Sequence, residues 1–232
     1  MGNKQILEFL EKYRDNVFEN LKSTSISGLY QEQYEDIQTG RVVFDQFDDI
    51  LGDLKLLADD KSNDGLIKDK LDEYENLDNN ALIQYLADEI RRILNEIVES
   101  GKIHDIQALF IEYDFYYHYT SCVTCYGKQE YPFIETPRYI TSEYDYNKQI
   151  LFIPNGINFQ PAWLSCEEFG DFDFLEIDND LEELFKLHSR ALLHKALELL
   201  KTTGELNILQ NRPFSFYINA HDAEVMMLYR LP

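Results

Sequence analysis

The chain has 232 residues, 43 acidic against 21 basic side chains, a formal charge of −22 and an isoelectric point near 4.4. A field of that sign repels phosphate backbones and anionic lipid, which argues against a nucleic-acid or membrane-surface partner and favours a basic protein. With 44% apolar and 14% aromatic residues, 16 Tyr and 15 Phe among them, the chain can bury a core and does not read as a disordered acidic tail.

The opening residues, MGNKQILEFLEKYRD, carry charges inside their first apolar stretch and lack the apolar block and small-residue cleavage site of a secretory signal. Ile6 stands where N-myristoylation requires Ser or Thr. No run approaches the roughly 18 apolar residues of a membrane span. Cys122, Cys125 and Cys166 cannot all pair within one chain and suit a reducing compartment. The expectation is a cytoplasmic protein.

Ile6, Leu10, Tyr13, Val17 and Leu21 recur at spacings of three and four, which predicts a helix over 4–21 with one apolar stripe. Small polar residues over 23–28 break it. A second helix is expected over 42–58, with Val43, Phe47, Ile50, Leu54 and Leu57 on one face and Asp45, Asp48, Asp49 and Asp53 over the remainder. The strongest helical period lies over 80–100, in Leu82, Tyr85, Leu86, Ile90, Ile93, Leu94, Ile97 and Val98. Gly101 follows where a left-handed cap residue belongs.

Beyond Gly101 the texture changes. The run over 106–126, IQALFIEYDFYYHYTSCVTCY, is aromatic and β-branched without Pro or Gly and predicts one long strand or two paired strands. Pro132, Pro137, Pro154, Gly156 and Pro161 punctuate short extended pieces, 149–153 among them. Alternation over 171–178 reads as a half-buried strand with an acidic outer face. A long helix is expected over 180–203, capped by Asp180 with Glu183 at the capping-box position, striped by Leu181, Leu184, Phe185, His188, Leu192, Ala196 and Leu199, and closed by Gly204. Strands are expected over 205–209, 214–218 and 224–231, the last two forming a hairpin through 219–223. This order predicts an α+β fold: a helical N-terminal lobe over 1–101, then over 102–232 a mostly antiparallel sheet with one long helix packed on it, the two lobes forming one folded unit.

The chemical motifs are incomplete. Cys122-x-x-Cys125 has zinc or redox spacing, with His118 and Cys166 as further ligand candidates, but on a strand residues three apart face opposite sides. Asp60-Lys-Ser-Asn-Asp64-Gly65 resembles the start of a calcium loop, yet Leu71 stands where a bidentate Glu belongs and Lys68 opposes a cation, so a solvated turn is expected. His104-Asp105 and His221-Asp222 repeat a dipeptide used by metal-dependent phosphohydrolases, without the further ligands that chemistry needs. His188 and His194, six apart on a helix, fall on different faces, and His188 reads as a core histidine. Glu112 and Asp114 share a strand face, as acidic pairs do often in so acidic a chain. No G-x-S-x-G, phosphate-binding glycine loop or H-E-x-x-H occurs. No catalytic residue, metal or cofactor is assigned.

The acidic charge is even along the sequence, with a balance of −12 over 1–100 and −10 over 101–232. Against that background the stretch 167–183 holds nine carboxylates and no basic residue, with Trp163, Phe169, Phe172 and Phe174 interleaved. Trp163, Glu167, Glu168, Asp171, Phe172, Asp173, Glu176 and Asp178 are the candidate partner-binding residues: aromatic anchors within a negative rim. An acidic edge strand leading into a helix start is the alternative account of the same residues.

The strand run ALFIEYDFYY, the helix residues Ser189-Arg190-Ala191-Leu192-Leu193 and Ala196-Leu197, Thr203-Gly204-Glu205, Pro213-Phe214-Ser215-Phe216, and the close from His221-Asp222-Ala223-Glu224 to Leu228-Tyr229-Arg230-Leu231 carry a resemblance. Over about 106–231 the chain resembles uncharacterised bacterial α+β families, some of them encoded beside polymorphic toxins and similar in type to their immunity proteins. The resemblance implies a non-catalytic protein that binds and neutralises a cognate toxin, such as a basic nuclease, with no cofactor. A metal-dependent hydrolase using His104, His118 or His221 with carboxylates, and an adaptor in a larger assembly, are the alternatives.

Overall fold

A computed structural model describes residues 2–41, 47–60, 63–113, 121–134, 148–162, 176–209, 213–220 and 225–232. Among them are six α-helices: α1 Asn3–Ser23, α2 Ile26–Gln38, α3 Phe47–Asp59, α4 Asn63–Glu75, α5 Asn79–Glu99 and α6 Glu176–Thr202. Five strands, β1 Ala108–Tyr113, β2 Ser121–Tyr126, β3 Gln149–Ile153, β4 Phe214–Ala220 and β5 Met226–Leu231, form one sheet. The class is α+β, as the order of sequence patterns predicts.

The chain divides into two compact units. A sheet unit comprises Met1–Tyr13, Asp78–Trp163 and Phe185–Pro232, and a helical unit comprises Arg14–Leu77 and Leu164–Leu184.

In the helical unit the expected break after α1 is only two residues long, because Ser25 caps a helix the periodicity did not show. Its backbone is extended and its hydroxyl accepts from the Gly28 amide at 3.1 Å, so 26–28 form the first turn of α2. α2 buries Ile26, Tyr30 and Ile37. The calcium-like segment is also put to another use: its Asp64 lies in the first turn of α4, where its carboxylate accepts from Ser25 Oγ at 2.9 Å and Ser27 N at 3.1 Å. Ile67 and Leu71, a helical turn apart, then reach a core shared with Leu21, Ile26, Tyr30, Ile37, Leu54, Leu181 and Leu184. The helix expected over 42–58 is α3, with residues 42–46 outside the described set.

In the sheet unit the strand order is β3-β2-β1-β4-β5. β1–β2, β2–β3 and β4–β5 pair antiparallel, while β1 and β4 at the centre pair parallel. The run over 106–126 is therefore two paired strands, with residues 114–120 outside the described set. One face presents Tyr113, Ile218, Met226 and Tyr229 to α6: Arg190 Nη2 donates to the Tyr113 hydroxyl at 2.6 Å, and the His194 and Tyr229 rings lie 5.2 Å apart. On the other face Phe110 stacks on Tyr217 at 4.5 Å, and the Tyr217 hydroxyl donates to Pro132 O at 2.5 Å.

Every residue of α6 from Leu187 to His194 is buried. α6 starts at Glu176, which corrects two expectations: 176–178 are helical rather than strand, and Asp180 is an interior residue rather than the cap. Carboxylates in a first helical turn are favoured by the exposed amide dipoles there. The segment Glu205–Leu209, expected as a strand, is a 3₁₀ turn that buries Leu206 and Leu209 at the eclipsed spacing of three.

α5 is capped by Asp78, whose carboxylate accepts from Asn80 N and Ala81 N at 3.1 Å each, and ends at Gly101 with φ +71°. One of its residues expected inside sits differently: Val98 is 41% exposed, as Tyr13 on α1 is 49% exposed. Arg92 of α5 donates to the carbonyls of Asn155 and Gly156, and Glu89 accepts from Asn158 N at 3.1 Å. That segment is locked to β2 by Ser121, whose hydroxyl accepts from Ile157 N at 2.7 Å and donates to Ile157 O at 3.0 Å.

Gly156 has no room for a side chain. A Cβ there would stand 2.5 Å from Ser121 Oγ and 2.8 Å from Ser121 O. Gly156→Ala is expected to destabilise the protein by about 1–3 kcal/mol through forced separation of this junction, read as a lower denaturant midpoint at unchanged slope.

Candidate functional site

The two compact units distribute the charge in a way the linear sequence conceals. The helical unit holds 25 acidic and 7 basic side chains, a balance of −18, whereas the sheet unit holds 18 and 14, a balance of −4. The helical unit contains the whole 167–183 stretch together with the acidic helices of residues 14–77. Its cations are largely engaged locally: Arg14 with Asp15 at 2.7 Å, Lys22 with Glu19 at 3.6 Å and Glu75 at 3.9 Å, Arg41 with Asp36 at 3.0 Å, and Lys70 with Glu73 at 3.3 Å. The surplus carboxylates set the field of this unit.

A groove of about 340 Å³ opens in the same unit, over a floor of Phe18, Leu21, Ile67 and Leu71. Asp64, Asp72 and Glu75 line it alongside Lys22 and Lys68. An apolar floor with carboxylates at its margin suits a long cationic side chain, whose stem is apolar and whose tip is charged.

Of the candidate partner-binding residues, Trp163, Glu167, Glu168, Asp171, Phe172 and Asp173 lie outside the described residues. Glu176 and Asp178 belong to the first turn of α6 within the helical unit.

The other candidates resolve as follows. Cys122 and Cys125 lie on β2, the first half-buried and the second buried. Burial pushes the Cys125 thiol up to about 12; burial, and then Glu112 directly across on β1, push the Cys122 thiol upward. Two protonated thiols on opposite sheet faces do not form a dithiolate pair. His104 is exposed in the turn after α5, and among the described residues no three His, Cys, Asp or Glu side chains converge as metal ligands. His118, Cys166, Asp114, His221 and Asp222 lie outside the described residues. Among the described residues no helix is long and apolar enough to cross a membrane.

Within α6, His188 is buried as expected, at 2% exposure, and His194 and Arg190 are buried with it at 0% and 4%. Arg190 belongs to none of the sequence motifs. Its signal is present in Leu187-His-Ser-Arg-Ala-Leu-Leu-His194, a permanent cation in a run with no acidic side chain.

No protein-family model, no curated protein and no solved structure matches this chain.

His194 Nδ1 lies 2.6 Å from Leu228 O and, with that carbonyl as acceptor, carries the proton. Nε2 has no hydrogen bond and stands 3.8 Å from Glu198 Oε1. Burial holds this histidine below its ordinary value of 6.5, against the opposing pull of the Leu228 carbonyl, Glu198 and Glu11 and with a small contribution from Lys195. The unfolded chain thus takes up a proton near pH 6.5 that His194 refuses in the folded chain, so the contribution of this histidine to stability is constant above that pH and declines as pH falls below it. His194→Gln, which keeps a donor for Leu228 O, should flatten the dependence of the unfolding midpoint between about pH 5 and 6.5 relative to the unsubstituted protein.

Proposed function

We propose that this chain is a non-catalytic acidic binding protein that acts in the cytoplasm by binding and neutralising a cognate protein toxin with a basic face. The observation that carries this reading is the concentration of charge: a balance of −18 in the one compact unit that also contains the 167–183 stretch. The surplus of carboxylates in that unit attracts an incoming cation and raises its association rate. Nuclease toxins fit this partner best, because a surface that binds phosphate backbones is basic and is blocked by an acidic one. The groove over Leu21, Ile67 and Leu71 supports the reading as a receptor for one lysine or arginine of such a face.

The test is association kinetics with the basic protein encoded by the adjoining reading frame. The association rate should fall at least about tenfold between 50 mM and 500 mM salt. Neutralising Glu167, Glu168, Asp171 and Asp173 to the corresponding amides should slow association several-fold without lowering the thermal midpoint, and Trp163→Ala should act mainly on dissociation. No complex at micromolar concentrations, or association indifferent to salt, defeats the proposal.

A further inference from the structure

Arg230 of β5 pairs directly with Ser215 of β4, so the two side chains lie side by side on the sheet face that carries Phe110 and Tyr217, away from α6. The backbone of Arg230 is clamped. Asn3 Nδ2 donates to Arg230 O at 2.9 Å, and Asn3 Oδ1 accepts from Arg230 N at 2.8 Å, so one side-chain amide takes the place of a neighbouring strand at this residue. Ser215 is held as firmly: its N–H donates to Gln107 O at 3.1 Å, while Gln107 N–H donates to Tyr126 O at 2.8 Å.

A groove of about 720 Å³ opens over these positions. Gln107, Ser215 and Arg230 line it from the sheet, and Lys128, Glu130 and Tyr131 from the segment after β2. That segment is fixed by its own bonds, since the Tyr131 hydroxyl donates to Gly127 O and accepts from Gln129 Nε2 at 3.2 Å. The groove is thus built in advance, and its volume lies in the range of pockets that take drug-sized ligands. Its charge runs against that of the chain: two cations, Arg230 and Lys128, line it with one acid, Glu130, whereas the whole protein has 43 acids to 21 bases. A single positive excess suits a single negative charge, and the field of the acidic chain works against a ligand that carries more.

We propose that this groove binds a short peptide by its free C-terminal carboxylate, with Arg230 as the principal cation and Lys128 as the second. A guanidinium presents a planar fork that a carboxylate meets with two parallel hydrogen bonds, a match no other anion of single charge makes better. Ser215, Gln107 and Glu130 add a hydroxyl, an amide and a carboxylate, which between them pair with the N–H and C=O groups of a peptide. The site belongs to the sheet unit and stands or falls independently of the proposed toxin binding.

The full isotope-labelled chain is titrated with trialanine, with trialanine amide and with inorganic tripolyphosphate, at matched ionic strength, and its amide and arginine Nε–H resonances are followed. Trialanine should shift Gln107, Lys128, Ser215 and Arg230 saturably, with half-saturation at about 1 mM or below. The amide keeps the peptide groups and lacks the charge, and should need at least about tenfold more. Arg230→Gln should weaken trialanine at least about tenfold, and Lys128→Gln, at an exposed position that leaves folding intact, about two- to fivefold. If Arg230→Gln does not fold, the lysine variant and the amide decide. Shifts at the groove that do not saturate by about 20 mM, an equal response to peptide and amide, or affinity unchanged in Lys128→Gln overturns the proposal. Tighter binding of tripolyphosphate at the same resonances overturns it equally, since the site is then one for phosphate.

Discussion

A helix enclosed on every side must find partners for its polar side chains within the protein, and the central turns of α6 carry His188, Ser189, Arg190 and His194 through the sheet unit. The sheet meets part of that demand through its irregularity. Phe216 pairs with Tyr229 and Tyr217 with Met227, which leaves Leu228 without an opposite number, and it is the Leu228 carbonyl that lies 2.6 Å from His194 Nδ1. A bulge frees a backbone group from the ladder, and here the freed carbonyl is what a buried imidazole requires. Ser189 returns its proton to the helix at Phe185 O, and Arg190 reaches the phenol at the end of β1. Register, bulge and helix position are therefore mutually dependent: moving α6 by one residue would separate both the imidazole and the guanidinium from their partners.

That dependence explains which features were legible in the sequence. α5 announced itself because eight apolar residues keep one period and Gly101 closes it. β1 and β2 were legible from β-branched and aromatic density, and β3, β4 and β5 from short apolar runs between turn residues. α2 and α4 were concealed by their own composition. Gly28 and three serines look like a break, and Asp60 to Gly65 looks like a metal loop, until Ser25 and Asp64 are seen to bond each other at 2.9 Å. The stretch 171–178 alternates like a strand, yet its last residues enter a helix whose later turns are fixed by tertiary burial, and tertiary burial overrides local pattern. Glu205–Leu209 is too short and apolar for periodicity to separate strand from 3₁₀ turn.

The acidic stretch was legible in the sequence, and the segments that join it in one unit were not. Glu167 to Glu183 is conspicuous in the sequence, but the company it keeps is decided by long-range packing. Leu181 and Leu184 join a core with Leu21, Ile26, Tyr30, Ile37 and Leu71, residues more than a hundred positions away. Those contacts gather two separate acidic segments into one unit and turn an even linear charge into an uneven spatial one. Arg190 was obscure for the opposite reason, since a single cation in a helix acquires meaning only when tertiary packing encloses it.

An acidic unit of this kind bears a standing cost. Carboxylates in surplus repel one another, and the compact state feels this more than the unfolded chain because it holds them closer. The aliphatic core of the helical unit and its local ion pairs, each worth at most about 1 kcal/mol when exposed, must outweigh that repulsion. A basic surface brought against the unit relieves the repulsion while adding attraction across the interface, so its association draws on strain already present in the free protein. Salt relieves the same strain without forming a complex, and for that reason the stability of the free protein and its affinity for a cation-rich partner should respond to ionic strength in opposite directions. That opposition separates a charge placed for a partner from one placed for solubility, since a purely solvating surface has only the first of the two responses.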